Sequence, residues 1–135
     1  MNKPPVILDT DVSSLIIKQR LTGSLATRLI GTQPFITFVT LGELTKWAEV
    51  RSWGARSRGA VTAWLAVIPI LPGDEDVAVI WGKLSAAAML RGRPRPMNDM
   101  WIAAVCLTHG FPLATLNVKD FEDFVIHHGL RLITA

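Results

Sequence analysis

The chain has 135 residues, of which 50% are hydrophobic and 19% are charged, and its net charge is +3. This length fits one domain, and the composition is typical of a globular protein and excludes a disordered one. The single cysteine, Cys106, excludes an internal disulfide, and no apolar run approaches the roughly 18 residues of a membrane-spanning helix. The apolar run before Asp9 is also too short for a signal peptide. The sequence therefore predicts one soluble domain over residues 1–135, located in the cytoplasm and not at a membrane.

Short apolar runs alternate along the chain with longer stretches of helical character. The pattern predicts strands at 6–8, 35–39, 67–71, 113–116 and 130–133. It predicts helices at 12–30 with a break near residues 22–23, and at 40–50, 55–66, 74–91 and 98–110. Strands separated by helices form a parallel sheet through right-handed crossovers, with helices on both faces. The expected fold is a three-layer α/β/α domain with a central parallel sheet of four to five strands, and Pro69 indicates an edge position for the third.

Polar residues stand where the predicted strands end, which is the edge at which open parallel sheets bind ligands. Asp9 follows the first strand, Glu43 lies in the first turn of the helix after the second, and Asp99 opens a later helix. Asn117 and Asp120 follow the fourth strand. We therefore take these five residues as candidates for a functional site.

Each acid also has an ordinary structural interpretation. Asp11 is expected to be the N-cap of the helix that begins at residue 12. Glu43 forms a Thr-x-x-Glu capping box with Thr40, Asp99 is typical of a helix cap in competition with its neighbour at 98, and Asp120 is typical of a turn. Taken together, however, three or four carboxylates at one sheet edge repel each other unless a cation neutralises them. Hard oxygen ligands favour magnesium or manganese.

Other charged residues are less informative. The histidines, placed at the end of a helix (His109) and in a polar turn (His127 and His128), have neither triad nor zinc-site spacing and are expected at the surface. Arginines at positions 91, 93 and 95 lie in a Gly/Pro-rich loop. They are interpreted either as a solvated loop or as a rim that contacts phosphates.

Three segments of the sequence, VILDTDVSSLI, FVTLGELTKWAEV and RPMNDMWIAAVCLTHGFPLATLNVKDF, resemble the VapC-type toxins of the PIN-domain ribonuclease family. The resemblance covers essentially the whole chain in the same order, and it implies a PIN-like fold. It places the family's first three acids on Asp9, Glu43 and Asp99. A possible fourth corner falls nearest Asn117, which is not acidic, with Asp120 three residues later.

The resemblance implies an endoribonuclease toxin of a type II toxin–antitoxin system that depends on Mg²⁺, with Mn²⁺ as a possible substitute. It implies metal-assisted in-line hydrolysis of a phosphodiester in structured RNA, with a metal held by Asp9 and Asp99 and held or tuned by Glu43. The implied partners are the RNA, a cognate antitoxin that occludes the site, and a second copy in a homodimer. Trp47 and Trp53 flank a charged helix end and are candidates for a partner surface.

Two alternatives remain open from the sequence. VILDTDV resembles the opening motif of haloacid-dehalogenase-like phosphatases, with Asp9 as the nucleophile and Asp11 as the general acid. The acids at 74–76 only imitate that family's later paired-acid motif, because they follow a poor strand. The second alternative is a catalytically inactive PIN-like module that binds RNA or a partner, which Asn117 leaves open.

Overall fold

A computed structural model describes residues 2–135 and has a parallel sheet at its centre. Within these residues the five strands are β1 (Pro5–Leu8), β2 (Gln33–Thr37), β3 (Ile70–Leu71), β4 (Leu113–Ala114) and β5 (Leu132–Ile133). The seven helices of the same residues are α1 (Thr10–Ile17), α2 (Gly23–Leu29), α3 (Phe38–Val50), α4 (Ala55–Leu65), α5 (Glu75–Leu90), α6 (Met97–His109) and α7 (Val118–His128). The predicted α/β/α fold is confirmed, with a sheet of five strands.

The order of the strands identifies the edge of the sheet at which a site is expected. The order is β3-β2-β1-β4-β5, and every neighbouring pair is parallel. Ile7 of the central strand β1 is in register with Phe35 of β2 on one side and with Leu113 of β4 on the other. The chain therefore proceeds outward from β1 in one direction through β3 and returns to the opposite side at β4. The crevice at the carboxyl ends of β1 and β4 is the topological switch point, where such sheets bind ligands.

Two apolar layers hold the helices against the sheet. The alternation of side chains along β1 directs Ile7 into one layer, which includes Phe121 and Phe124 of α7. Val6 and Leu8 enter the opposite layer, which the helices α1, α2 and α4 also supply. All three β1 side chains are buried, so the end of this strand, and with it Asp9, is fixed in position.

Several element boundaries differ from the predictions. The second strand ends at Thr37 and α3 begins at Phe38, because Thr37 takes the N-cap position and its hydroxyl oxygen accepts from the Thr40 N–H at 3.3 Å. The predicted helix over 12–30 divides into α1 and α2, as its predicted break requires. The predicted strand over 67–71 shortens to Ile70–Leu71 and is an edge strand, as Pro69 indicates.

The helix α7 was not predicted. His127 and His128 lie in its last turn, so their placement in a polar turn is wrong. Four of its eleven residues carry a formal charge, and Phe121 and Phe124 alone are buried among its described residues. Gly129 ends the helix in the left-handed conformation with φ 73°. Over residues 2–135, no helix combines the length and apolar character needed to cross a bilayer.

Candidate active site

Asp9 lies at the end of β1 and is fixed there by two hydrogen bonds. Its Oδ1 accepts from the Thr10 N–H at 2.8 Å, and its Oδ2 accepts from the Thr115 hydroxyl at 2.8 Å. Asp9 is 6% exposed and occupies the N-cap of α1. The prediction that Asp11 caps this helix is therefore wrong, because α1 begins at Thr10 and Asp11 lies exposed in its first turn.

Glu43 lies on α3 and faces α1. Its Oε1 accepts from the Thr10 hydroxyl at 2.8 Å, and the Thr10 and Thr40 hydroxyl oxygens are 2.9 Å apart. Because Thr10 donates its single hydroxyl proton to Glu43, Thr40 is the donor in the second bond. The capping box with Thr40 is wrong, because α3 begins one turn earlier at Phe38 and is capped by Thr37. The Glu43 carboxylate instead binds the residue next to Asp9.

Asp99 lies in the first turn of α6 and is half-buried. The N-cap of α6 is Pro96, and within the described residues no side chain hydrogen-bonds to this helix end, so the cap role predicted for Asp99 or its neighbour is wrong. Burial raises the pKa of Asp99 to about 6, and the charges of Asp120, Asp9 and Glu43 add to the effect. The Arg95 guanidinium acts in the opposite direction.

The same electrostatic coupling acts on Asp9. Burial raises the pKa of the Asp9 carboxyl, while the hydrogen bonds from Thr115 and Thr10 lower it. The negative charges of Asp11 and Glu43 raise it further. Acids from β1, α3, α6 and α7 therefore share one partly buried environment at the carboxyl ends of the strands.

The two candidates for a fourth corner differ in their surroundings. The Asn117 N–H donates to the Thr115 hydroxyl at 2.9 Å, and its side-chain amide donates to the Asp11 carboxylate. Asp120 lies exposed in the first turn of α7 and not in the turn predicted for it. Among the neighbouring charges, Asp120 has the largest effect on the pKa of Asp99. Asp120 thus adds a negative charge near Asp99, while Asn117 supports Asp9 through Thr115.

These side chains match a hard divalent cation in their donor chemistry. All of the acids offer carboxylate oxygens, which Mg²⁺ and Mn²⁺ prefer. Across residues 2–135, however, no group of three or more Asp, Glu, His or Cys side chains is already arranged to hold one ion. Binding of a cation by three of the carboxylates therefore requires side-chain rotation.

Three threonines organise the site, of which Thr10 and Thr115 were not predicted and Thr40 was predicted only as a capping partner. Thr10, Thr40 and Thr115 are fully or almost fully buried, and their hydroxyls connect Asp9, Glu43 and the start of α7. Their signal in the sequence is a polar residue directly after the apolar run of a predicted strand, or at the start of the helix that follows. That signal is weak because threonine is also common in strands.

The basic rim is smaller than the sequence indicates. Arg91 Nη2 contacts the Asp123 carboxylate at 2.6 Å, so Arg91 joins α5 to α7. Arg93 is exposed, and Arg95 is half-buried with a charge that reaches Asp99. The two arginines that remain available for phosphate contacts are therefore Arg93 and Arg95.

The two tryptophans expected near a partner surface are half-buried, and each has a cation against its ring. The Arg51 guanidinium carbon lies 4.6 Å from the centroid of Trp47, and Lys18 Nζ lies 5.9 Å from that of Trp53. Trp47, Arg51 and Lys18 line a groove of about 390 Å³ that reaches Asn117. This groove adjoins the acidic site on the side of α1.

The chain is similar to known proteins over almost its whole length. A family model described as PIN domain matches residues 6–134. Ribonuclease VapC5 of Mycobacterium tuberculosis is 31% identical over 129 residues, which cover 91% of this chain and 87% of that relative. Ribonuclease VapC1 of Haemophilus influenzae is 28% identical over 119 residues, which cover 86% of this chain and 89% of the relative. Among solved structures, VapBC-1 from nontypeable Haemophilus influenzae superposes with a TM-score of 0.79 at 26% identity, covering 96% of this chain and 97% of that one.

Proposed function

Because the chain belongs to the VapC-type toxins of the PIN domain family, we propose that it is an endoribonuclease that depends on a divalent metal and cleaves structured RNA. Mg²⁺ is the proposed ion and Mn²⁺ its substitute. The observation that carries the proposal is the hydrogen-bonded group at the end of β1, in which Thr10 contacts both Asp9 and Glu43. The charges of these two acids and of Asp120 add to the effect of burial on the pKa of Asp99. A cluster of this kind is stabilised by a cation. The phosphatase alternative is not retained, because the family is that of the PIN domain.

The proposed mechanism assigns separate tasks to the residues of the site. Asp9 and Asp99 would hold the cation, with Glu43 as the third carboxylate. When bound, the cation supplies an activated water and offsets the charge on the phosphate. Thr10 and Thr115 fix the Asp9 carboxylate by hydrogen bonds to its two oxygens, and Thr10 also holds Glu43. Arg95, whose charge lowers the pKa of Asp99, and the exposed Arg93 would bind RNA phosphates beside the acids.

We also propose two protein partners. A similar solved structure, VapBC-5 of Mycobacterium tuberculosis, is described as a member of the VapBC family of toxin-antitoxin systems, and this similarity supports a cognate antitoxin. The proposed antitoxin would cover the acidic site of this chain. A homodimer is supported by exposed apolar side chains on one helix, since Val79 and Leu90 of α5 are exposed.

The proposal is tested by incubating the protein with total cellular RNA, with and without EDTA, and mapping the cut ends. We expect discrete cuts that EDTA abolishes and that added Mg²⁺ or Mn²⁺ restores. Asp99→Asn should abolish cleavage, while the matched variant Asp76→Asn, also in the first turn of a helix, should cleave like the wild type. Cleavage that persists in EDTA would contradict the metal dependence. RNA binding without any cleavage in Mg²⁺ or Mn²⁺ would instead favour the inactive PIN-like module.

A further inference from the structure

A second groove opens on the other side of the acidic site, between α3 and the start of α6. Its volume is about 350 Å³, within the range of about 300–1,000 Å³ that is usual for small-molecule sites. The residues that line it include Phe38, Glu43, Lys46, Met97 and Trp101. Because Glu43 belongs both to this groove and to the acidic site, the groove continues directly from the place where the RNA backbone would be cut.

The wall of the groove is a supported aromatic surface. The Trp101 indole stacks on Trp81 with centroids 4.8 Å apart and planes at 13°, and the Phe38 ring meets it edge-on at 5.7 Å. Gly73 lies against Phe38, since a Cβ at this position would be 2.7 Å from the ring. Met97 at the mouth of the groove is 62% exposed. Trp81 and Gly73 thus support the two rings of the wall, and the side of the wall toward the solvent is apolar.

The charges of the groove favour a nucleotide over a purely apolar ligand. Lys46 is exposed and lies three residues after Glu43, so both side chains project from the same side of α3. It forms no salt bridge with any residue from 2 to 135. In contrast to Trp47 and Trp53, Trp101 has no cation of the described chain against its ring. The groove therefore combines a free positive charge with an aromatic surface that is open to stacking.

We propose that this groove binds an unpaired nucleobase of the RNA next to the cleaved phosphodiester, with the base stacked on Trp101 beside Phe38 and a neighbouring phosphate on Lys46. Aromatic platforms beside basic side chains are the means by which proteins bind single-stranded nucleic acids. A base within a duplex cannot reach such a wall, so the site selects unpaired segments of a structured RNA. The inference rests on the proposed function, because it assigns the groove to the substrate of that reaction.

The test measures binding separately from cleavage. Fluorescence anisotropy with the Asp99→Asn protein in Mg²⁺ compares a single-stranded oligoribonucleotide of mixed sequence with an oligomer of equal length and charge that lacks the bases. Trp101→Leu should weaken binding of the first about fivefold to a hundredfold and leave binding of the second unchanged. Lys46→Gln should weaken both to the same degree, because it removes a phosphate contact. The controls are Trp64→Leu, at a half-buried residue of another helix, and Lys3→Gln, at an exposed residue. Neither control should change the binding of either oligomer.

The outcomes separate the inference from the function on which it rests. The nucleobase site is overturned if Trp101→Leu weakens the binding of both oligomers equally, or weakens the binding of neither. Should this variant not fold, Phe38→Leu provides the same comparison. A changed oligomeric state in sedimentation, with unchanged RNA binding, assigns the groove to a protein partner and also overturns the proposal. Base-dependent binding through Trp101 in a wild-type protein that cuts no RNA would refute the proposed function and leave the groove as an RNA site.

Discussion

Replacement of Asp99 by asparagine should stabilise the metal-free protein. The pKa of Asp99 is raised from an ordinary value of 3.8 to about 6, chiefly by burial and by the charge of Asp120. This difference corresponds to about 3 kcal/mol of unfavourable free energy for the charged form in the folded state. Asp99 is only half-buried, so solvent screening reduces the expected gain to about 1–2 kcal/mol above pH 6.

The sign of the effect follows from the binding of protons. Between pH 3.8 and about 6 the folded protein retains a proton on Asp99 that the unfolded chain has released. The contribution of Asp99 to stability therefore falls as the pH rises through this window, and it is constant above the window. The free energy of unfolding of Asp99→Asn should exceed that of the wild type by about 1–2 kcal/mol at pH 7.5, because Asn has no proton to lose. Below pH 4 the two free energies should differ by about zero.

Urea unfolding in EDTA, followed by tryptophan fluorescence at both pH values, measures this difference. Asp76→Asn in the first turn of α5 is the control, and it should lose about 0.3–1 kcal/mol because it removes a favourable charge at a helix N-terminus. A hundredfold excess of Mg²⁺ over its dissociation constant should stabilise the wild type by about 2.7 kcal/mol and Asp99→Asn by much less. If Asp99→Asn is less stable than the wild type to the same extent at both pH values, Asp99 has a purely structural role and the reasoning is refuted.

Three other substitutions separate catalytic from structural roles. Glu43→Gln should reduce RNA cleavage at least about tenfold and change stability by less than about 0.5 kcal/mol, because glutamine still accepts the Thr10 hydrogen bond; normal cleavage rates would refute the ligand role. Thr115→Val should cost about 1–3 kcal/mol in chemical denaturation, because it leaves Asp9 Oδ2 and the Asn117 N–H without their partner, and unchanged stability would contradict this. Gly73→Ala should lower stability by about 1–3 kcal/mol through displacement of the Phe38 ring, and an unchanged melting temperature would show that the ring moves freely.

The positions of the site residues could be predicted from the sequence because strand ends are well marked. The apolar run before Asp9 predicts a buried strand. The alternation of strands and helices brings the carboxyl ends of such strands to one edge of the sheet. In the structure Thr10 joins Glu43 to the residue next to Asp9, and the charges of Asp9 and Glu43 raise the pKa of Asp99. Their capping roles were predicted wrongly for Glu43 and Asp99, because the helices begin one or a few residues before the expected points.

The hydrogen bonds of the site could not be predicted in the same way. Thr10 contacts Glu43 across 33 residues of chain, and Thr115 contacts Asp9 across 106. Periodicity places a residue on an element, but it does not identify which hydroxyl meets which carboxylate after the sheet has assembled. The helix α7 escaped prediction although its apolar residues at 118, 121 and 125 recur at helical spacing, because the polar residues at its two ends are also typical of turns.

We propose that carboxylates at the carboxyl ends of the sheet strands bind a divalent metal that RNA cleavage requires. The most direct measurement is the cleavage rate of an RNA containing a mapped cut site, titrated with Mg²⁺ for the wild type, Asp9→Asn and Asp76→Asn. We predict saturable cleavage by the wild type and Asp76→Asn, no cleavage by any of the three without metal, and no cleavage by Asp9→Asn over the range that saturates the wild type. Equal rates for Asp9→Asn and the wild type at every Mg²⁺ concentration would show that Asp9 holds no metal that cleavage requires.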